Sequence, residues 1–164
     1  MGGGDVDDVL ALQSQIAAFV RAFDLHHPDR TPCGQPVPVS EAHALGELHR
    51  DGPLTQQTLA ARLRLEKSTV SRLVRQLTGR GWVRRVERDG DARLVWLELT
   101  DAGRRAAEEL AAARATRFAE LLDNIPAGKR AAVIDALSTL VLAAREQDAR
   151  SDVGPVEAAG RRRR

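Results

Sequence analysis

Between Thr55 and Thr100 the hydrophobic period of this chain changes once, and that change narrows the folds open to it. Before Gly79 the apolar residues recur at intervals of three and four, the period of amphipathic helices. After Gly81 they form two short runs, Trp82-Val83-Arg84-Arg85-Val86-Glu87-Arg88 and Arg93-Leu94-Val95-Trp96-Leu97-Glu98-Leu99, on either side of Asp89-Gly90-Asp91-Ala92. Asp-Gly between runs rich in Val, Leu and Trp is a strong hairpin signal. Helical spacing returns after Thr100. The pattern therefore predicts a mostly α chain with one small β-hairpin.

The helices can be placed by their caps and breakers. Val6, Val9, Leu10, Ile16, Val20 and Phe23 predict a first helix over residues 5–24. Pro28, Pro32, Gly34, Pro36 and Pro38 then hold a loop open. Ser40 is placed to cap a second helix over 41–50, which Asp51-Gly52-Pro53 ends. Thr55 is placed to cap a third over 56–63, with Leu54 outside it as a hydrophobic staple. A fourth runs over 67–78 and stops at Gly79-Arg80-Gly81. Thr100 caps a long helix over 101–123, Pro126-Ala127-Gly128 breaks it, and a last helix covers 129–147. Residues 1–4 read as a flexible start and 151–164 as a disordered basic tail ending in four arginines.

Composition supports a helical core. Aromatic residues make up 3% of the 164 positions and tyrosine is absent, so the core must come from Leu, Val, Ile and Ala. No run of eighteen apolar residues exists, which excludes a membrane-spanning helix. The amino terminus lacks the basic and apolar regions of a secretory signal. A single Cys33 cannot form an internal disulfide and fits a reducing cytoplasm. Charge is unevenly spread. Residues 1–51 hold three Arg against eight acids, whereas residues 52–100 hold ten Lys or Arg against five. A basic centre beside an acidic flank suggests a module that faces a polyanion.

The fourth helix gives that suggestion a geometry. Val70, Leu73, Val74 and Leu77 share one face, and Ser68, Thr69, Ser71, Arg72, Arg75 and Gln76 occupy the other. A helix fits the major groove of duplex DNA, where hydroxyls and guanidiniums can reach phosphates and base edges. The third helix would cross the backbone, placing Thr55, Gln56 and Gln57 near phosphates. An amphipathic helix alone is equally a solvated surface helix. The hairpin that follows removes much of that ambiguity, because Arg88 and Arg93 flank its turn and can enter a narrow minor groove. Asp91, repelled by phosphate, would serve the turn or position an arginine. A helix pair, a basic second helix and a basic hairpin in this order make a winged helix-turn-helix.

The segment Leu63-Arg64-Leu65-Glu66-Lys67-Ser68-Thr69-Val70-Ser71-Arg72-Leu73-Val74, then Leu77, Gly81-Trp82-Val83, Asp89-Gly90-Asp91-Ala92-Arg93 and Leu97-Glu98-Leu99-Thr100-Asp101-Ala102-Gly103, resembles the MarR family of transcriptional regulators. The specific motifs lie between residues 54 and 103. The resemblance implies a homodimeric, cytoplasmic regulator of double-stranded DNA. It also implies a DNA-binding lobe over 39–100 and a dimerisation lobe from 5–38 and 101–150. Ser68, Thr69, Ser71, Arg72 and Arg75 would then read the major groove. Arg93 would be the wing contact, with Asp91 positioning it. Many such regulators are repressors released by a small aromatic or anionic compound bound between the lobes. Phe19, Phe23, His26 and His43 lie near that place.

Apolar stripes on the first and last helices support pairing with a second copy. A two-fold dimer would set its recognition helices roughly 34–36 Å apart on a pseudo-palindromic site. Other readings remain open at this level: a cysteine-redox regulator acting through Cys33, or a winged helix used for protein contact. Retention of Arg72, Arg75, Arg88 and Arg93 favours DNA over the latter. Metal binding by His26, His27 and Cys33 is disfavoured, since adjacent residues at a helix end are expected to point apart. No catalytic set, phosphate loop or cofactor motif is present at recognisable spacing, which argues against an enzyme.

Overall fold

The computed structural model describes residues 3–87 and 96–151. In chain order these form α1 (Gly3–Ala22), α2 (Val39–Asp51), β1 (Leu54–Thr55), α3 (Gln56–Leu63), α4 (Lys67–Gly79), β2 (Val83–Val86), β3 (Trp96–Leu99), α5 (Asp101–Asp123) and α6 (Ala127–Ser151). The mostly α class with a small antiparallel sheet is the predicted one. The chain divides into two units, residues 1–118 and 119–164.

In the first unit, Leu45, Leu48, Leu59, Val70, Val74, Leu77, Val83 and Leu97 are fully buried and form the centre of the core. They come from α2, α3, α4 and the sheet, so the helix pair and the strands share one apolar interior. Burying each such side chain stabilises the fold by about 1.5–3 kcal/mol. The sheet has three strands in the order β1-β3-β2, all antiparallel. Val83 pairs with Leu99, and Val86 with Trp96. The β1 strand was not foreseen. Leu54 does sit just ahead of α3, but it pairs with Leu97 and is buried there. Two residues are too few to show an alternating pattern.

Both threonine caps form. The Thr55 hydroxyl accepts the Thr58 amide at 3.0 Å, and the Thr100 hydroxyl accepts the Gly103 amide at 3.0 Å. The Ser40 cap does not. The α2 helix starts at Val39 with Pro38 at the cap, whose carbonyl accepts the Ala42 amide at 3.0 Å. Proline supplies the fixed φ needed there without a capping side chain. The α1 helix ends at Ala22 rather than 24. Asp24 takes a left-handed φ of 58°, its amide bonds to the Arg21 carbonyl, and the Leu25 amide bonds to that of Val20. This is a Schellman closure made without glycine. Arg64 (φ 55°) closes α3 the same way, and Gly81 (φ 72°) closes α4.

The first strand spans 83–86 and leaves out Trp82 and Glu87 of its hydrophobic run, and the described part of the second run forms a strand over 96–99. The turn Asp89-Gly90-Asp91-Ala92 lies outside the described residues. In the second unit, Pro126 and Gly128 interrupt the helical course for less than expected. The α6 helix already begins at Ala127, where the Pro126 carbonyl accepts the Lys129 amide at 2.8 Å. It continues to Ser151, past the expected end at 147. Glycine in a first helical turn costs little, because the helix there has yet to close its hydrogen bonds.

Candidate nucleic-acid interface

The α4 helix divides cleanly into two faces. Val70, Leu73, Val74 and Leu77 are buried. Ser68, Thr69, Arg72, Arg75 and Gln76 are exposed, and Ser71 is half-buried. Among the described residues, no hydrogen bond or ion pair engages these six polar side chains. The structure thus brings together on one outward edge every candidate the sequence placed on this helix. The inner face is anchored in the core, so the outer face is held rigidly. Glu66 and Lys67 stand at the helix start without a side-chain cap. First-turn amides are therefore free to meet an anion.

The α3 candidates separate. The Thr55 hydroxyl is occupied by the Thr58 amide and lies 2.8 Å from the Thr58 hydroxyl. Its role here is to start the helix. Gln57 is exposed and Gln56 half-buried, so those two carry what this end of α3 presents to solvent. On the sheet, Arg84 stands opposite Glu98 and is ion-paired with it at 3.1 Å. Arg85 is exposed. Arg88, Asp91 and Arg93 lie outside the described residues.

Two features behind this edge were not read from the sequence. The first is a joint at the start of α5. The Trp82 carbonyl accepts the Thr100 amide at 3.0 Å, and the Thr100 hydroxyl donates to the Gly81 carbonyl at 2.7 Å. A Cβ on Gly103 would lie 1.9 Å from the Trp82 carbonyl oxygen. The segment Leu99-Thr100-Asp101-Ala102-Gly103 is thereby explained: threonine ties strand to helix, and glycine lets the two backbones meet. The second is Glu41, 2% exposed, whose carboxylate meets the Arg80 guanidinium at 2.8 Å. Arg80 also lies over the Trp82 ring, 5.0 Å from its centroid. This pair links α2 to the end of α4 and the base of the hairpin. Its only sequence signal was an acidic residue among the apolar positions Ala42, Ala44 and Leu45.

A cavity of about 230 Å³ opens elsewhere in the same unit, lined by Phe23, Cys33, His43, Leu110, Arg114, Arg117 and their neighbours. Of the four pocket candidates, Phe23 and His43 line it. Phe19 stacks on Phe23 at 5.3 Å instead, and His26 lies against His27 at 4.3 Å. Arg114 and Arg117 were missed, because an arginine on an alanine-rich helix looks like any solvated charge. His43 is more than a third exposed, yet desolvation holds it below the ordinary histidine range. Arg114 lowers it further and Glu47 opposes the shift.

Residues 35–94, which hold α2, β1, α3, α4 and β2, match the model of the MarR family. That match spans 60 of the 164 residues. The chain is 28% identical over 104 residues to the uncharacterized HTH-type transcriptional regulator YdgJ of Bacillus subtilis (strain 168). That alignment covers 63% of this chain and 63% of YdgJ, so it spans less than two thirds of that relative. Among solved structures it is similar to the PcaV transcriptional regulator from Streptomyces coelicolor in complex with its natural ligand. The identity is 26%, the TM-score 0.60, and coverage is 82% of this chain and 91% of PcaV. It shares its fold with Streptococcus pneumoniae FabT in complex with DNA at a TM-score of 0.64 and 17% identity, covering 89% and 99% of the two chains. YdgJ and PcaV are both described as transcriptional regulators. Among the described residues no helix is long and apolar enough to cross a membrane.

Proposed function

We propose that this chain is a cytoplasmic homodimeric regulator of the MarR family, most simply a repressor, that binds a pseudo-palindromic site on double-stranded DNA. The observation that carries the reading is the outer edge of α4, where two guanidiniums, three hydroxyls and an amide, unpaired among the described residues, stand on a helix whose other face is buried. Arg72 and Arg75 would fork onto guanine or phosphate, with Ser68, Thr69, Ser71 and Gln76 completing the major-groove contact. Gln56 and Gln57 would bind phosphates, with Thr55 setting the helix start. Arg93 and Arg88 would enter the minor groove, with Asp91 positioning Arg93. The likeness to FabT, solved in complex with DNA, supports this use of the fold.

Binding to fluorescent duplexes selected from genomic fragments tests it. Each of Arg72→Ala and Arg75→Ala should weaken binding by about tenfold or more without altering assembly. Affinity should also fall by orders of magnitude between about 50 and 200 mM salt. Wild-type affinity in both variants would overturn the assignment of α4.

The cavity supports a regulatory reading of the same protein. An apolar wall with Arg114 and Arg117 suits a small organic anion, and PcaV is a relative solved with its natural ligand. Such an effector would release DNA by favouring a dimer whose recognition helices no longer match the groove spacing.

A further inference from the structure

The turn that closes α1 gathers three metal-ligating side chains that the sequence suggested would point apart. Asp24 sits at the left-handed closing position, and the chain reverses there. The reversal brings one ligand atom each from Asp24, His26 and His27 within 4.8 Å of one another. The two imidazole centroids are 4.3 Å apart, and Asp24 Oδ1 lies 3.6 Å from His27 Nε2. Bonds of about 2.0–2.1 Å in a tetrahedral zinc site put its donor atoms roughly 3.3 Å from each other. The remaining closure is within reach of side chains at the surface.

A second observation shows what these donors converge on. Arg30 Nη2 lies 2.8 Å from His27 Nε2 and 3.4 Å from Asp24 Oδ2. A guanidinium can only donate, so in this contact His27 Nε2 accepts. The lone pair that a metal would use is already turned toward a positive charge. Arg30 is an internal cation held by this turn.

We propose that Asp24, His26 and His27 form a divalent metal site of the zinc class, and that Arg30 gates it by competing for the same donors. Two imidazoles and one carboxylate suit zinc, nickel or copper, whereas magnesium and calcium require more oxygen ligands. Water would complete the coordination. The site shares its backbone with the cavity, since Phe23 and Leu25 line that cavity while Asp24, His26 and His27 hold the metal. It does not depend on the DNA-binding reading.

The test uses tag-free full-length protein, Zn²⁺ titrated against a chromophoric chelator, and Co²⁺ absorption as a reporter of coordination. One ion should bind per chain. His27→Ala should weaken binding at least about tenfold, as should Asp24→Asn, which keeps a residue tolerant of the left-handed turn. Arg30→Ala should strengthen binding by about two- to fivefold, the range of one exposed ion pair. Far-UV circular dichroism should show unchanged helix content in all variants. Wild-type affinity in the double variant His26→Ala/His27→Ala would place the ion on other ligands and overturn the site. Unchanged affinity in Arg30→Ala would overturn the gate.

Discussion

At Gly103 a single hydrogen atom decides whether the hairpin base and α5 can meet. A methyl group there would collide with the Trp82 carbonyl, which is held by the Thr100 amide and has no flexible end to yield. Gly103→Ala should therefore destabilise the fold by about 3 kcal/mol or more, read by urea denaturation, although alanine normally favours a helix. A cost below about 1 kcal/mol would mean that the joint shifts freely. The Glu41–Arg80 pair makes a contrasting case. Arg80→Met leaves a carboxylate buried without its partner and should cost about 2 kcal/mol or more. Adding Glu41→Gln should recover part of that loss, because the remaining buried group is then neutral. His43 adds a pH dependence. Its folded pKa is depressed, so the folded state binds fewer protons than the unfolded state once the pH approaches 6.5 from above. Stability from this group is present above that value and declines as the medium is acidified. His43→Gln should flatten the decline, and Arg114→Ala should raise the His43 titration seen by NMR.

At the scale of elements, the helices were legible because their apolar faces repeat, and their ends were legible only where the capping chemistry is in the side chain. Thr55 and Thr100 announced their helices with a hydroxyl. Thr55→Ala should cost about 1 kcal/mol through loss of that cap, and DNA affinity should fall only as far as α3 frays. Asp24 and Arg64 gave no such notice. Left-handed closure by a non-glycine residue is set by what the chain must reach next, not by local preference. Ser40 misled for the reverse reason: a good capping residue stood two positions beyond a proline that already fixed the start. The α4 helix was the most readable element of all, since one segment carries both its packing face and its polar face.

For the whole molecule, the open question is what covers the exposed apolar side chains. On α1 these include Val9, Leu10, Leu12 and Ile16, and on α6 they include Ile134, Leu137 and Leu142. A second copy of the chain would bury them, as the homodimer reading requires. Leu137 is half exposed in the single chain, so Leu137→Glu should be harmless to a monomer. In a dimer it should shift sedimentation from twice the 17.9 kDa chain mass toward the single chain and weaken DNA binding with it. Unchanged assembly would remove α6 from the interface.

Local periodicity and side-chain chemistry were enough to determine the helical class, the hairpin, the two threonine caps and the polar edge of α4. Each depends on residues within a turn or two of one another, and such neighbours are visible along the chain. The third strand, the Gly103 joint, the Glu41–Arg80 pair, the arginines of the cavity and the meeting of Asp24 with two histidines were decided by tertiary structure. Each requires knowing which distant backbone arrives at a given side chain, or where one left-handed residue turns the chain. Side-chain periodicity does not encode that arrival; the packing of the core does.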